Sequence, residues 1–148
     1  MTERHSPGRP PLVEAVNRIG DRWTLLIVHS LLTGPQRFGE LSGSVDGIAP
    51  NVLTKRIRQL ESDGLIRSTA YSDRPPRFSY ALTDDGRQLA GALALLSTWG
   101  SRHAGSRVPS APHAGQHSRC GTPLETKLWC PTCDQSVDAN ADDDLIHL

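Results

Sequence analysis

Apolar residues recur at helical spacing over the first third of the chain and then switch to strict alternation. Leu12, Val16 and Ile19 fall three or four apart and stop at Gly20. The stretch "DRWTLLIVHSLLTGP" (21–35) places Leu25, Ile27, Val28, Leu31 and Leu32 behind Asp21, a good N-cap, and ahead of Gly34 and Pro35, which end a helix. This second helix is apolar almost all round and is expected at the centre of the core, with His29 as a core residue. Phe38, Leu41 and Val45 predict a two-turn helix; Pro50 opens another that runs to Ser62 and is closed by Gly64. Beyond Gly64 the period becomes two. "IRSTAY" and "RFSYALT" read as a hairpin, with Phe78, Tyr80 and Leu82 on one face and Arg77, Ser79 and Ala81 on the other. Pro75 and Pro76 lie between the strands and cannot donate to a ladder, so the tip is expected to project. A last long helix is expected from Thr83 as cap to about Arg102.

This order predicts a mainly α protein with a small β-hairpin, an α+β winged helix-turn-helix. In the helix over 50–62, Leu53, Ile57 and Leu60 turn inward and leave Asn51, Thr54, Lys55 and Arg58 outside. Those are side chains that read a duplex: Arg forks to guanine, Asn pairs with adenine, and Lys or Thr holds phosphate. Sixteen acidic residues balance sixteen basic ones, so any case for nucleic acid has to be local. Between 50 and 77, Lys55, Arg56, Arg58, Arg67, Arg74 and Arg77 face only Glu61, Asp63 and Asp73. Charge alone would describe an ordinary solvated helix, but the wing beside it makes double-stranded DNA the expected partner. The candidate contact residues are Arg37, Pro50, Asn51, Thr54, Lys55 and Arg58, with Arg74 and Arg77 in a wing over 72–77.

The flanks differ in kind. Residues 1–10 are proline-rich and read as disordered, the winged-helix domain spans 11–102, and 103–116 has the composition of a linker. Over 117–134, His117-x2-Cys120 and Cys130-x2-Cys133 are nine residues apart, a pattern suited to a tetrahedral Cys3His site holding a structural Zn2+ in a small C-terminal zinc-ribbon-like segment. A reversible Cys130–Cys133 disulfide is the competing reading, and His103 and His113 compete as fourth ligand. Residues 135–148 read as an acidic tail. No apolar run approaches the roughly 20 residues of a bilayer span and the N-terminus is unlike a secretory leader, so a cytoplasmic, nucleoid-associated protein is expected. No carboxylate pair, nucleophile elbow, phosphate-binding glycine loop or HExxH appears, and no enzyme is expected.

Taken together, "IGDRWTLLIVHSLLTGPQRFGEL" (19–41), "GIAPNVLTKRIRQLESDGLI" (47–66), "RPPRFSYALTDDGRQL" (74–89) and "LSTWG" (96–100) resemble the HxlR family of bacterial winged-helix transcriptional regulators. The resemblance implies a homodimer on an operator with inverted half-sites, its interface formed by the first and last long helices. Leu12, Val16, Leu89, Leu93, Leu96 and Trp99 are the candidate interface residues, and the stripe on the last helix is itself broader than one small core needs. A repressor is the favoured role, with room for a small-molecule effector. Members of the family often carry a sensing Cys-Pro step before the first helix; Pro10 stands there in this chain, so that switch is absent. The alternatives are a winged-helix protein-interaction module without DNA binding and a metal or redox sensor acting through the cysteine segment.

Overall fold

Asp21 shows how local chemistry sets the elements. Its carboxylate accepts the backbone N–H groups of Trp23 (3.0 Å) and Thr24 (3.1 Å) and the Thr24 hydroxyl, satisfying donors that the first turn of α2 (Arg22–Leu31) would leave orphaned. The structure is a computed structural model and describes residues 10–103, 117–122, 124 and 127–137. The sequence expectations for 1–9, 104–116 and 138–148 lie outside the described residues.

The chain divides into two units, residues 1–90 and 91–148. The first holds α1 (Pro11–Ile19), α2, β1 (Gln36–Arg37), α3 (Phe38–Ser44), α4 (Pro50–Ser62), β2 (Ile66–Asp73), β3 (Pro76–Leu82) and α5 (Asp84–Gln88). Ile27, Val28 and Leu31 of α2, Leu41 and Val45, Leu53, Ile57 and Leu60 of α4, and Leu65, Ile66 and Leu82 form its buried core. Burying each such side chain is worth about 1.5–3 kcal/mol. α2 is central as expected, yet not on every side. His29 is exposed rather than a core residue, Leu26 is 43% exposed, and Thr24 is buried instead, its hydroxyl satisfied by Asp21.

The sheet has three strands in the order β1-β3-β2, where the sequence predicted two. β1 pairs Gln36 with Tyr80 and Arg37 with Ser79. A two-residue strand carries no periodicity of its own; its position follows from the Gln36 amide, which donates to the Ser30 carbonyl at 2.8 Å. In the hairpin, Ala70 opposes Phe78 and Ser72 opposes Arg77, so Tyr71 is the extra residue of a β-bulge. The expected apolar face opens toward the tip: Leu82 is buried, Tyr80 half-buried and Phe78 exposed.

The last helix is not continuous. Thr83 caps α5 as predicted, accepting the Gly86 N–H at 3.1 Å, while its hydroxyl donates to the Gly64 carbonyl at 2.7 Å. α5 is pressed so closely on this strand entry that a Cβ at Gly86 would lie 2.2 Å from the Leu65 carbonyl oxygen. The ladder tightens at Leu89, whose N–H reaches back three residues to Gly86 (3.3 Å), and α6 (Ala90–His103) starts afresh.

In the second unit, β4 (Leu128–Cys130) and β5 (Gln135–Val137) form an antiparallel pair, Leu128 opposite Val137 and Cys130 opposite Gln135. Residues 135–137 are therefore strand rather than the start of an unfolded tail. The turn between the strands closes through Asp134, which at φ 56° takes the left-handed conformation that Asp tolerates better than most residues.

Candidate nucleic-acid interface

The geometry of α4 follows from its two ends. Pro50 occupies the first turn, where its missing N–H costs nothing. At the other end the Leu65 N–H bonds the Leu60 carbonyl (2.9 Å) and the Gly64 N–H the Glu61 carbonyl (3.0 Å), with Gly64 at φ 72°. This Schellman closure brings buried Leu65 over buried Leu60 and turns the chain directly into β2. Anchored so, α4 buries Leu53, Ile57 and Leu60 and presents Asn51, Lys55 and Arg58 to solvent. Pro50 is exposed at the start of the same helix. Thr54 is half-buried, and its hydroxyl donates to the Pro50 carbonyl at 2.9 Å, which leaves it no hydrogen to offer a phosphate.

Arg56, counted in the local basic surplus, leaves the surface set. Its Nε is buried 3.3 Å from the Asp21 carboxylate, which ties α4 to the N-terminus of α2. Partial burial raises the pKa of Asp21, but the Thr24 hydroxyl and N–H, the Arg56 charge and the Trp23 N–H outweigh it and hold the carboxyl below its ordinary value. Arg67 on β2 and Arg74 and Arg77 at the wing are all exposed, with the turn formed by Arg74 and Pro75.

Arg37 stands apart from the other candidate contacts because it is stacked. Its guanidinium carbon lies 4.6 Å from the centroid of the Tyr71 ring, and its backbone N–H donates to the Glu40 carboxylate at 2.6 Å at the mouth of α3. Sequence reading missed Tyr71, since a bulge position has no signature in an alternating pattern. Between α4 and β3 lies an open cleft of about 270 Å3 whose lining includes Phe38, Arg58, Glu61, Phe78 and Tyr80. Burial, and after it the Glu61 charge, raise the pKa of the Tyr80 phenol.

Of the residues expected at a subunit interface, Leu12 (74% exposed) and Val16 (55%) on α1 and Leu96 and Trp99 on α6 are open to solvent. Leu89 is half-buried and Leu93 is buried, so Leu93 cannot belong to an exposed apolar face. Trp99 is exposed with the His103 ring 4.5 Å away, centroid to centroid. Trp23 is half-buried beneath the Arg22 guanidinium.

The four candidate metal ligands form two pairs. His117 Nδ1 is 3.2 Å from Cys120 Sγ, and Cys130 ends β4 while Cys133 lies in the turn that joins β4 to β5. Cys120 is held below the ordinary thiol pKa by the Thr122 hydroxyl and N–H, and Cys130 by the N–H groups of Cys133 and Thr132. Among the described residues no three His, Cys, Asp or Glu side chains come together as one metal-binding group. No helix among them is long and apolar enough to cross a membrane.

A buried-core helix-turn-helix, a recognition helix with an exposed polar face and a hairpin wing define a winged helix-turn-helix DNA-binding protein. Residues 18–107 match the HxlR-like helix-turn-helix family, and the chain belongs to that family. It is a DNA-binding transcriptional regulator. An uncharacterized HTH-type transcriptional regulator of Mycobacterium tuberculosis is 35% identical over 125 residues, covering 84% of this chain and 78% of the relative. Among solved structures, the HTH-type transcriptional regulator YtcD superposes with a TM-score of 0.61 at 33% identity, covering 66% of this chain and all of that one. The redox regulator HypR in its reduced form gives 0.61 at 28% identity, over 65% and 95%.

Proposed function

We propose that the protein acts as a homodimer, lays α4 of each subunit in successive major grooves of an inverted-repeat operator, and represses transcription by occupying a promoter. The observation that carries this reading is the outward face of α4: Asn51, Lys55 and Arg58 are exposed and opposite the buried Leu53, Ile57 and Leu60. Arg58 and Asn51 have the chemistry for base edges, and Lys55 for phosphates. Arg74 and Arg77 in the wing suit flanking backbone. Arg37, one residue ahead of α3, suits phosphate on the other side of the helix pair.

Two separate apolar faces support dimerisation. α1 exposes Leu12, Val13 and Val16, and α6 exposes Leu95, Leu96 and Trp99. Apolar side chains clustered along a helix face in this way mark a surface that is covered in the working protein. Two modules on one symmetric site also gain the affinity that a single short helix lacks. In this reading the protein works on chromosomal DNA in the cytoplasm. The cleft beside Arg58 gives a small aromatic effector a route to compete with DNA for that side chain.

The test is selection of binding sites from a random duplex pool by the full-length protein, followed by footprinting of the enriched sequence. A palindromic footprint with two protected major grooves is expected. Salt-insensitive binding with no enriched motif would sink the reading and leave a protein-docking role in its place.

A further inference from the structure

The His117–Cys120 and Cys130–Cys133 turns share one backbone design. In each, the residue after the second side chain is left-handed, Gly121 at φ 68° and Asp134 at φ 56°. In each, that residue's N–H returns to the carbonyl of the first, Gly121 to His117 at 2.7 Å and Asp134 to Cys130 at 2.9 Å. In the first turn the two side chains meet at its open side, His117 Nδ1 lying 3.2 Å from Cys120 Sγ. A turn of this shape points its two side-chain donors at one spot.

The surrounding segment cannot be held together by apolar burial. Every described residue from 117 to 137 is exposed except Cys130 and Val137, which are half-buried; Leu124, Leu128 and Trp129 all lie open. A pair of three-residue strands is far below the size at which a hairpin is stable alone. Without an apolar core, a cross-link or a metal has to supply the stabilisation.

We propose that one Zn2+ binds His117, Cys120, Cys130 and Cys133 in a tetrahedral Cys3His site and draws the two turns onto each other. The turns are preformed halves, and the ion supplies the link between them; binding and folding of the segment are one event. Three thiols and one imidazole fill the four positions of a structural zinc site and leave none for water, so the ion organises the segment and does no chemistry. The site lies beyond residue 107, where the match to the family ends. The alignment to the mycobacterial relative covers 84% of this chain, which requires it to reach residue 124 or beyond. That span includes the first turn.

Metal analysis of full-length protein purified under reducing conditions without chelator is expected to give one zinc per chain. Replacing zinc with Co2+ should give the intense visible bands of a tetrahedral ion and a thiolate-to-metal charge-transfer band. C120S, C130S and C133S are each expected to lose the zinc, and H117Q to lose the tetrahedral Co2+ spectrum, while H103Q retains both. The winged-helix melt and DNA affinity, read on the same samples, separate loss of the site from loss of the fold. Zinc-free protein carrying a Cys130–Cys133 disulfide, or zinc retained by C120S, overturns the proposal.

Discussion

The Arg37 guanidinium lies over the Tyr71 ring at 4.6 Å, reaching from β1 across β3 to the bulge of β2. A stacked arginine keeps its charge while giving up much of its freedom, which suits Arg37 to the phosphate contact proposed for it. Arg37→Ala and Tyr71→Leu are each expected to weaken operator binding about two- to fivefold. The double variant should be no weaker than Arg37→Ala alone. Fluorescence anisotropy on labelled operator measures all three; additive losses would mean that Tyr71 does not act through Arg37.

Arg58→Ala is expected to cost about 1–3 kcal/mol of operator binding and to relax preference at one base pair. Lys55→Ala should weaken binding to all sequences alike and lower the slope of log K against log salt by about one. Arg56→Ala, its neighbour, serves as the contrast. Because Arg56 is paired with Asp21, its loss should appear in thermal stability and leave the salt slope unchanged.

Asp21 predicts a pH dependence. Its carboxyl titrates lower in the folded chain than in the unfolded one, so its contribution is fully present above the unfolded value of about 3.9. The contribution is lost as pH falls from there through the folded pKa. Asp21→Ala removes the cap of α2 and should cost about 1 kcal/mol at pH 7. In urea melts at pH 7 and pH 3, the gap between wild type and variant should narrow at the lower pH; an unchanged gap would place the cap's strength outside its charge.

Two glycines five residues apart should respond in opposite directions. Gly86→Ala puts a methyl group 2.2 Å from the Leu65 carbonyl oxygen, against backbone that cannot step aside, and should destabilise by roughly 1–3 kcal/mol. Gly91 sits in α6 with nothing within 4 Å of the added carbon. Gly91→Ala should stabilise by up to about 1 kcal/mol through helix propensity. Melting temperatures of the two variants decide this.

A homodimer closed through α1 should be broken by Val16→Glu, which sets a charge on the exposed apolar face. Sedimentation is expected to show a shift from dimer to monomer, with operator affinity falling in parallel. A monomeric wild type would remove the inverted-repeat geometry.

Much of this was legible from residue spacing. The cap at Asp21, the span of α4 from Pro50 to Ser62 and the Gly64 closure each depend on one or two residues acting locally. The Arg56–Asp21 pair was not legible, since it joins positions thirty-five apart and an arginine on a helix looks the same whether it faces solvent or a carboxylate. His29 misled for a related reason: periodicity placed it on an apolar helix without showing which flank remained open. β1 and the break at Leu89 arise from hydrogen bonds made by single residues, which no repeat in the sequence announces.

The smallest strand has the widest reach. By hydrogen-bonding the threshold of α3 to the middle strand of the wing, the Gln36 and Arg37 pairings hold the helix pair and the wing as one stiff unit. In the proposed complex a stiff unit cannot adjust the separation of its own contacts, so the duplex would have to bend or change its groove width to meet them. Sequences that deform easily would then be favoured even at base pairs that no side chain touches.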